Sequence, residues 1–109
     1  MSSERGRLRP PSTAPATGEA VETLATGTGW RIEQILSGQL LAPVEDLLDH
    51  EEWVVLVAGA ATVDVDGVNE SLGVGDWLRL GPGVPHRVIS AKPGTSWLAV
   101  HIGLAVHIG

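Results

Sequence analysis

Residues 49–67, DHEEWVVLVAGAATVDVDG, decide the fold, because they hold two β-prone runs joined by a glycine. In the second run, valine alternates with aspartate from Val63 to Asp66, which is the pattern of a strand with one buried and one exposed face. The dipeptide Asp66-Gly67 indicates a hairpin turn, since both central residues of a type I′ turn need a positive φ. The stretch predicts two consecutive antiparallel strands and a tight return.

Short runs of the same kind continue through the rest of the chain. These runs are WRIEQIL at 30–36, WLRL at 77–80, HRVIS at 86–90 and TSWLAVHI at 95–102. The segments GPGVP and AKPG separate the later runs, and their proline and glycine would stop a helix. We therefore expect an all-β domain of seven or eight short antiparallel strands closed into a small β-barrel. The one helical pattern is PVEDLLDHEEW at 43–53, where Val44, Leu47 and Leu48 fall at helical spacing.

The two ends of the chain differ from this pattern. Residues 1–20 are rich in Pro, Ser, Thr, Ala and Arg without periodicity, which predicts a disordered tail before a folded domain at 21–109. The sequence LAVHIG occurs at 98–103 and again at 104–109. We interpret the second copy as a recent duplication or a sequencing accident. As alternatives, it extends the last strand or pairs with a partner chain, whereas Gly103 favours a break. His107 is then expected to take no part in a site.

Composition restricts the partners and the compartment. After residue 20 there are eleven acidic and four basic residues, a net charge of −7, which disfavours nucleic acid and anionic membranes as partners. No cysteine is present, so histidine and carboxylate are the only strong metal ligands available. No apolar run approaches the length of a membrane span, and the first residues lack the apolar block of a secretory signal. We expect a cytoplasmic protein.

Tryptophan supplies all the bulky aromatic side chains, because Phe and Tyr are absent. Core packing is one interpretation for each of the four tryptophans. For Trp53 and Trp97 the other interpretation, that they line a ligand pocket, also stays open.

Two glycine-anchored motifs resemble those of the cupin superfamily. Glu52, six residues and Gly59 match the end of the first motif, and GDWLRLGPGVPH, from Gly75 to His86, resembles the second, with Gly81 where proline is usual. The resemblance covers about residues 30–102 and implies a compact antiparallel jelly-roll-like barrel. It resembles small single-domain bacterial cupins most, and many cupins hold a metal ion inside the barrel.

The first motif departs from the family pattern. The later histidine of the family's His-x-His would fall at Leu47 or Leu48, so two of the usual four metal ligands are missing. A substitute set would be His50 and Glu52, two residues apart on one strand, with His86, which the resemblance places in the interior. His101 is a fourth candidate, as a ligand or as a partner of one. The alternative for His50 is a solvent-facing position in a loop.

The resulting functional hypothesis is a cupin that binds a divalent metal, Fe, Mn, Zn or Ni, together with a small polar or anionic molecule in its interior. The alternative is a non-enzymatic cupin without metal, acting as a small-molecule sensor or as a structural homo-oligomer such as a homodimer. A third interpretation is an isomerase or decarboxylase that uses His86 and Glu52 as acid and base. Whether the protein is an enzyme stays open, because a fold alone does not select a reaction.

Overall fold

The structure is a computed structural model that describes residues 2–105. That part of the chain contains nine strands and a single 3₁₀ turn at Pro11–Thr13, so the all-β prediction is confirmed. The strands are β1 Glu19–Gly27, β2 Trp30–Ser37, β3 Val44–Asp46, β4 Glu51–Ala58, β5 Ala61–Val65, β6 Val68–Leu72, β7 Trp77–Leu80, β8 His86–Ala91 and β9 Thr95–Ile102.

The strands form two antiparallel sheets rather than one closed barrel. The five-stranded sheet has the order β1-β2-β9-β4-β7, and the four-stranded sheet has the order β3-β8-β5-β6. Within residues 2–105 no strand pairing joins the two sheets, so the prediction of a closed barrel was wrong in this respect. Two twisted sheets can bury their inner faces against each other without edge-to-edge hydrogen bonds, as in a sandwich or jelly roll.

The apolar core lies between the two sheets. Leu56 and Ala99 have no exposed surface, and Trp97 packs with them. The other buried members of this cluster are Val54, Ala61, Val63 and Leu72. In β5 this burial follows from the alternation of valine with aspartate, because every second side chain of a strand points to the same face.

Two glycine turns position the central strands. Asp66 and Gly67 have φ values of 48° and 87°, which confirms the predicted hairpin between β5 and β6. Gly59 has φ 91°, and a Cβ atom there would lie 2.4 Å from Oγ1 of Thr95. Glycine is required at this end of β4 because the backbone conformation is left-handed and the neighbouring chain is too close for a side chain.

The helix predicted at residues 43–53 is absent. This segment forms β3, a bend and the first residues of β4. Both strands are held by neighbours distant in sequence, since Asp46 pairs with His86 and Glu52 pairs with His101 and Leu80. The local helical spacing is therefore overridden by strand pairing.

The predicted N-terminal tail is extended and mostly exposed, but it is attached to the domain. The buried side chain of Gln34 donates to the carbonyl oxygen of Arg9 and accepts from its backbone N–H, at 3.0 and 2.9 Å. The N–H of Gly18 donates to the carbonyl of Gln39, and β1 already begins at Glu19. The prediction of disorder is therefore only partly confirmed, because the buried side-chain amide of Gln34 on β2 is hydrogen-bonded to the backbone of the tail.

The last strand ends before the repeated segment. The first LAVHIG copy completes β9, which stops at Ile102, and Gly103 turns the chain with φ 74°. The N–H of Leu104 then donates to the carbonyl of Gly29. Most of the second copy, including His107, lies outside the described residues. No helix in residues 2–105 has the length and apolarity needed to span a membrane.

Candidate functional site

A row of inward-facing side chains crosses the five-stranded sheet beyond the apolar core. His101 on β9 pairs in register with Arg31 on β2 and with Glu52 on β4. Glu52 and His101 are only 7% and 4% exposed. An imidazole and a carboxylate are thus placed in the interior by the strand alternation itself, because both stand at inward positions of neighbouring strands.

His86 approaches this row from the opposite sheet. Its Nε2 atom lies 4.0 Å from Oε1 of Glu52 and 3.9 Å from Oδ2 of Asp46. Its Nδ1 lies 3.2 Å from the carbonyl oxygen of Val84 and so carries the proton of this hydrogen bond. In the described part of the chain, Nε2 of His86 is the buried side-chain atom without a hydrogen-bond partner. Nε2 of His86 therefore faces two carboxylates without a hydrogen bond to either of them.

His50 and His101 form a second group beside Glu52. Nε2 of His50 lies 2.7 Å from Nδ1 of His101, and Oε2 of Glu52 lies 3.6 Å from the same Nδ1 atom. The outer nitrogens of both rings face carboxylates: Nδ1 of His50 is 3.0 Å from Asp49, and Nε2 of His101 is 2.7 Å from Glu33. Since a carboxylate only accepts, these outer nitrogens carry the protons.

The hydrogen-bond pattern leaves a deficit of positive charge between the two rings. If both rings are neutral, Nε2 of His50 and Nδ1 of His101 are two lone pairs 2.7 Å apart, next to the carboxylate of Glu52. Such an arrangement repels unless a proton or another cation lies among these atoms. Carboxylates that orient the outer N–H groups of histidines are also the usual surroundings of metal-ligating imidazoles.

A cavity of about 310 Å³ opens between the sheets next to these groups. Its polar wall contains four carboxylates and a single guanidinium, whereas most of the remaining wall is aliphatic. The charged lining residues are Glu19, Glu33, Asp46, Glu52 and Arg31. Arg31 is engaged with Glu33, its Nε lying 3.3 Å from Oε2. The cavity is therefore acidic even with this ion pair counted.

Burial shifts the titration of two of these carboxyls. Desolvation raises the pKa of Glu52 above its ordinary value, opposed by the charges of His101 and His86 and reinforced by those of Asp46 and Glu33. Desolvation likewise raises the pKa of Glu19, opposed by its hydrogen bond from Ser37 and reinforced by Asp46. In both cases removal from water penalises the charged form, and a cation in the cavity would stabilise the ionised carboxylates.

The residues fit a metal ion by donor type and tautomer but are not arranged as a finished ligand set. Within residues 2–105 no three His, Asp or Glu side chains are grouped with the geometry of a metal site. The facing ring nitrogens of His50 and His101, the unpartnered Nε2 of His86 and the carboxylate of Glu52 are nevertheless ligand types that bind Fe, Mn, Zn and Ni. The donor chemistry therefore fits a divalent cation.

The predicted site residues fall into two groups. Glu52, His86, His101 and Trp97 line the cavity, and His50 reaches His101 from the bend before β4. The placement of Trp53 in the pocket is corrected, because its side chain lies on the outer face of the sheet against Trp77, with ring centroids 6.1 Å apart.

Three carboxylates of the site were missed from the sequence. Glu19 and Glu33 lie on β1 and β2, and the sequence did not indicate that the inward faces of these strands belong to a site. Asp46 lies in the segment that was predicted to be a helix. The position of Asp46, six residues before Glu52, was the available signal, since it lies in the segment where the family carries histidines. Leu48, where a family histidine could stand, lines the cavity as an apolar residue.

Solved structures similar to this chain include several cupins. A protein from Ralstonia eutropha, described provisionally as a mannose-6-phosphate isomerase, is 30% identical, with a TM-score of 0.81 over 94% of this chain and 100% of that one. An RmlC-like cupin from Shewanella frigidimarina is 19% identical with a TM-score of 0.68, covering 94% and 93% of the two chains. The Cupin_2 domain of an XRE-family transcriptional regulator from Enterobacter cloacae is 18% identical with a TM-score of 0.68, covering 82% of this chain and all of that domain.

No protein-family model and no curated protein matches the sequence. The relationship therefore depends on the solved structures, the first of which combines 30% identity with coverage of almost the whole of both chains. Together with the paired glycine-anchored motifs and the two-sheet fold, this similarity shows that the chain belongs to the cupin superfamily.

Proposed function

We propose that the protein binds a divalent metal ion and a small molecule in the cavity between its sheets. The observation that carries the proposal is the convergence of nitrogen and carboxylate ligands: Nε2 of His50 and Nδ1 of His101 lie 2.7 Å apart beside Glu52, and the buried, unpartnered Nε2 of His86 faces two carboxylates. Buried carboxylates need a positive charge beside them, and a divalent ion bound by these carboxylates and imidazoles supplies it.

Each residue has a distinct part in this proposal. Glu52 lies between the two histidine groups, with Oε1 towards His86 and Oε2 towards His101, so it is the donor common to both. Asp49 and Glu33 hold the outer N–H groups of His50 and His101 and thereby fix which nitrogens carry lone pairs. A bound divalent ion would supply a Lewis acid with positions left for the small molecule.

The test is metal titration of protein freed of metal by chelation. Mn²⁺, Fe²⁺, Zn²⁺ and Ni²⁺ are added separately, and binding is followed by isothermal titration calorimetry and by the melting temperature. A ligand that binds only the native state stabilises it by about 2.7 kcal/mol at a hundred times its Kd. We expect at least one of the four ions to bind with 1:1 stoichiometry.

Two variants make the assignment specific. His86→Gln and Glu52→Gln should weaken binding at least tenfold, whereas Glu70→Gln, which removes an exposed carboxylate on β6, should leave it unchanged. If none of the ions binds, or if all three variants bind like the parent protein, the metal part of the proposal is wrong.

A second candidate is a metal-free cupin that acts as a sensor or a structural homodimer. In its favour, a single shared proton between His50 and His101 would also satisfy their contact, and no finished ligand set is present among residues 2–105. The outer face of the five-stranded sheet also presents Trp53 and the 58%-exposed Trp77. Sedimentation at micromolar concentration, with Trp77→Lys as the comparison, tests the dimer: a parent protein that sediments as a monomer contradicts it.

A further inference from the structure

The cavity opens where the two sheets leave their edges unpaired. β1 ends the five-stranded sheet and β3 ends the four-stranded sheet, and both contribute side chains to the cavity wall. Glu19 comes from β1 and Asp46 from β3, and the charge of Asp46 acts on Glu19. Both side chains are partly accessible, unlike Glu52. A carboxylate thus stands on each of the two edges that border the opening.

The surface next to this opening is acidic as well. A second, more open depression of about 540 Å³ shares Asp46 and His86 with the cavity. Its other charged residues are Glu45, Asp64, Asp66 and Arg87. Arg87 is paired with Asp64 at 3.2 Å and with Glu45 at 3.9 Å, so its charge is compensated locally. A cleft lined by one sign of charge raises the local concentration of ligands of the opposite sign.

The interior continues the same electrostatic pattern. Among residues 2–105, no lysine or arginine lies within ion-pair distance of Glu19 or Glu52, since Arg31 is engaged with Glu33. The basic neighbours of Glu52 are the imidazoles of His86 and His101, at 4.0 and 3.6 Å. In addition, the buried Nε2 of His86 faces this space with no partner. An anionic ligand would meet repulsion at the opening and again inside, whereas a cation would gain at both places.

The walls indicate that the ligand also has an apolar part. Between the carboxylates, aliphatic side chains from both sheets and the ring of Trp97 line the cavity, including Val21, Val44, Val63 and Leu78. A volume of about 310 Å³ exceeds the need of a bare ion and is in the range of small-molecule pockets. Apolar walls of this kind favour a short hydrocarbon segment over a sugar phosphate.

From these observations we infer that the small molecule recognised by the cavity is an organic cation, an amine with a short alkyl segment, selected at the opening by Glu19 and Asp46. The inference rests on the proposed function, because both concern the same cavity. It goes further by naming the chemical class of the ligand, a cation, where the sequence-based expectation was a small polar or anionic molecule. The ammonium group lies near the carboxylates and the alkyl segment lies against the aliphatic wall.

Hexylamine, hexanoate and 1-hexanol test this inference, because they share one chain and differ in charge. Each is titrated by calorimetry into metal-free protein and into protein saturated with Mn²⁺. We expect hexylamine to bind at least tenfold more tightly than hexanoate, with 1-hexanol between them. Binding of hexanoate equal to or tighter than that of hexylamine in both preparations overturns the inference.

Two variants locate the effect at the opening. Glu19→Gln keeps an oxygen that can accept from Ser37 and should weaken hexylamine about fivefold to tenfold, the effect of one nearby charge in a partly solvated site. Glu70→Gln is the matched control, because Glu70 is an exposed carboxylate on β6 that lines neither the cavity nor the open depression, and it should change binding less than twofold. Equal effects of the two variants would overturn the role of the opening.

Failure of this inference is distinguishable from failure of the proposed metal site. Mn²⁺ binding without selective amine binding would refute the organic-cation ligand and leave the metal proposal intact. Amine binding in the absence of any metal binding would support the inference and count against the metal.

Discussion

The carboxylate of Glu52 and the imidazole of His86 come from opposite sheets and face each other with Oε1 and Nε2 4.0 Å apart. The distance is too long for a hydrogen bond, so neither group satisfies the other. Glu52 is nevertheless buried, and its second oxygen lies 3.6 Å from Nδ1 of His101. The interior therefore contains polar groups whose pairing is incomplete, and this property determines how the protein should respond to mutation and pH.

Replacing Glu52 with glutamine should stabilise the metal-free protein at neutral pH. The substitution removes a desolvated negative charge while keeping the shape of the side chain, and we expect a gain of about 1 kcal/mol, which corresponds to a rise in melting temperature of about 4 °C or more. Differential scanning calorimetry at pH 7 measures it. A lower melting temperature for Glu52→Gln would show that the ionised carboxylate is stabilising.

The parent protein and the Glu52→Gln variant should differ in how their free energy of unfolding depends on pH. Burial raises the pKa of Glu52 above the ordinary value of 4.5, so the native state holds this proton more tightly than the unfolded state does. Stability of the parent protein therefore falls as pH rises through the interval from 4.5 towards the higher native pKa. Urea denaturation from pH 4 to pH 8 should show the advantage of Glu52→Gln vanishing at the acid end. A difference that is constant with pH would contradict the raised pKa.

Replacing His101 with asparagine should be strongly destabilising. The shorter side chain loses the contacts to Nε2 of His50 and Oε1 of Glu33, each 2.7 Å, and leaves buried polar atoms without partners. The expected cost is about 2–4 kcal/mol in urea denaturation. Arg79→Gln, which removes only an exposed ion pair with Glu51, serves as the control and should cost less than about 1 kcal/mol. Similar costs for the two variants would mean that the buried histidine contacts contribute little.

Two motif glycines should respond differently to alanine. Gly59 and Gly75 have φ values of 91° and 89°, so both substitutions incur the strain of a left-handed backbone, about 1 kcal/mol. A Cβ at Gly59 would lie 2.8 Å from Cα of Thr95, whereas a Cβ at Gly75 meets nothing within 4 Å. Gly59→Ala should therefore lower the melting temperature more than Gly75→Ala does. Equal melting temperatures would contradict the close approach of the chain at Thr95.

Removing residues 1–10 should destabilise the domain although residues 2–10 are exposed. The deletion leaves the side chain of Gln34, which is 1% exposed, without its two hydrogen bonds to the backbone of Arg9. We expect a cost of about 1–3 kcal/mol by urea denaturation. Gln34→Leu in the truncated protein should recover part of the loss, because an apolar side chain needs no partner. An unchanged stability after truncation would show that the attachment of the tail is not formed in solution.

The sequence by itself determined the strand content and the family. An apolar run indicated the strand around Val54, alternation indicated the strand around Val63, and Asp66-Gly67 indicated the turn that follows. The spacing from Glu52 to Gly59 and from Gly75 to His86 carried the resemblance that the solved structures support. These features are local: side-chain period, positive φ and motif spacing act within a few residues, so they are readable along the chain.

Only the tertiary structure determined which side chains contact each other in the interior. Asp46 appeared to lie on a helix until pairing with His86 made it a strand residue, and Trp53 and Glu52, adjacent in sequence, went to opposite faces of β4. Glu33 and His101 are 68 residues apart yet 2.7 Å from each other. Contacts of this kind depend on strand register and on the packing of one sheet against another, which no local pattern specifies.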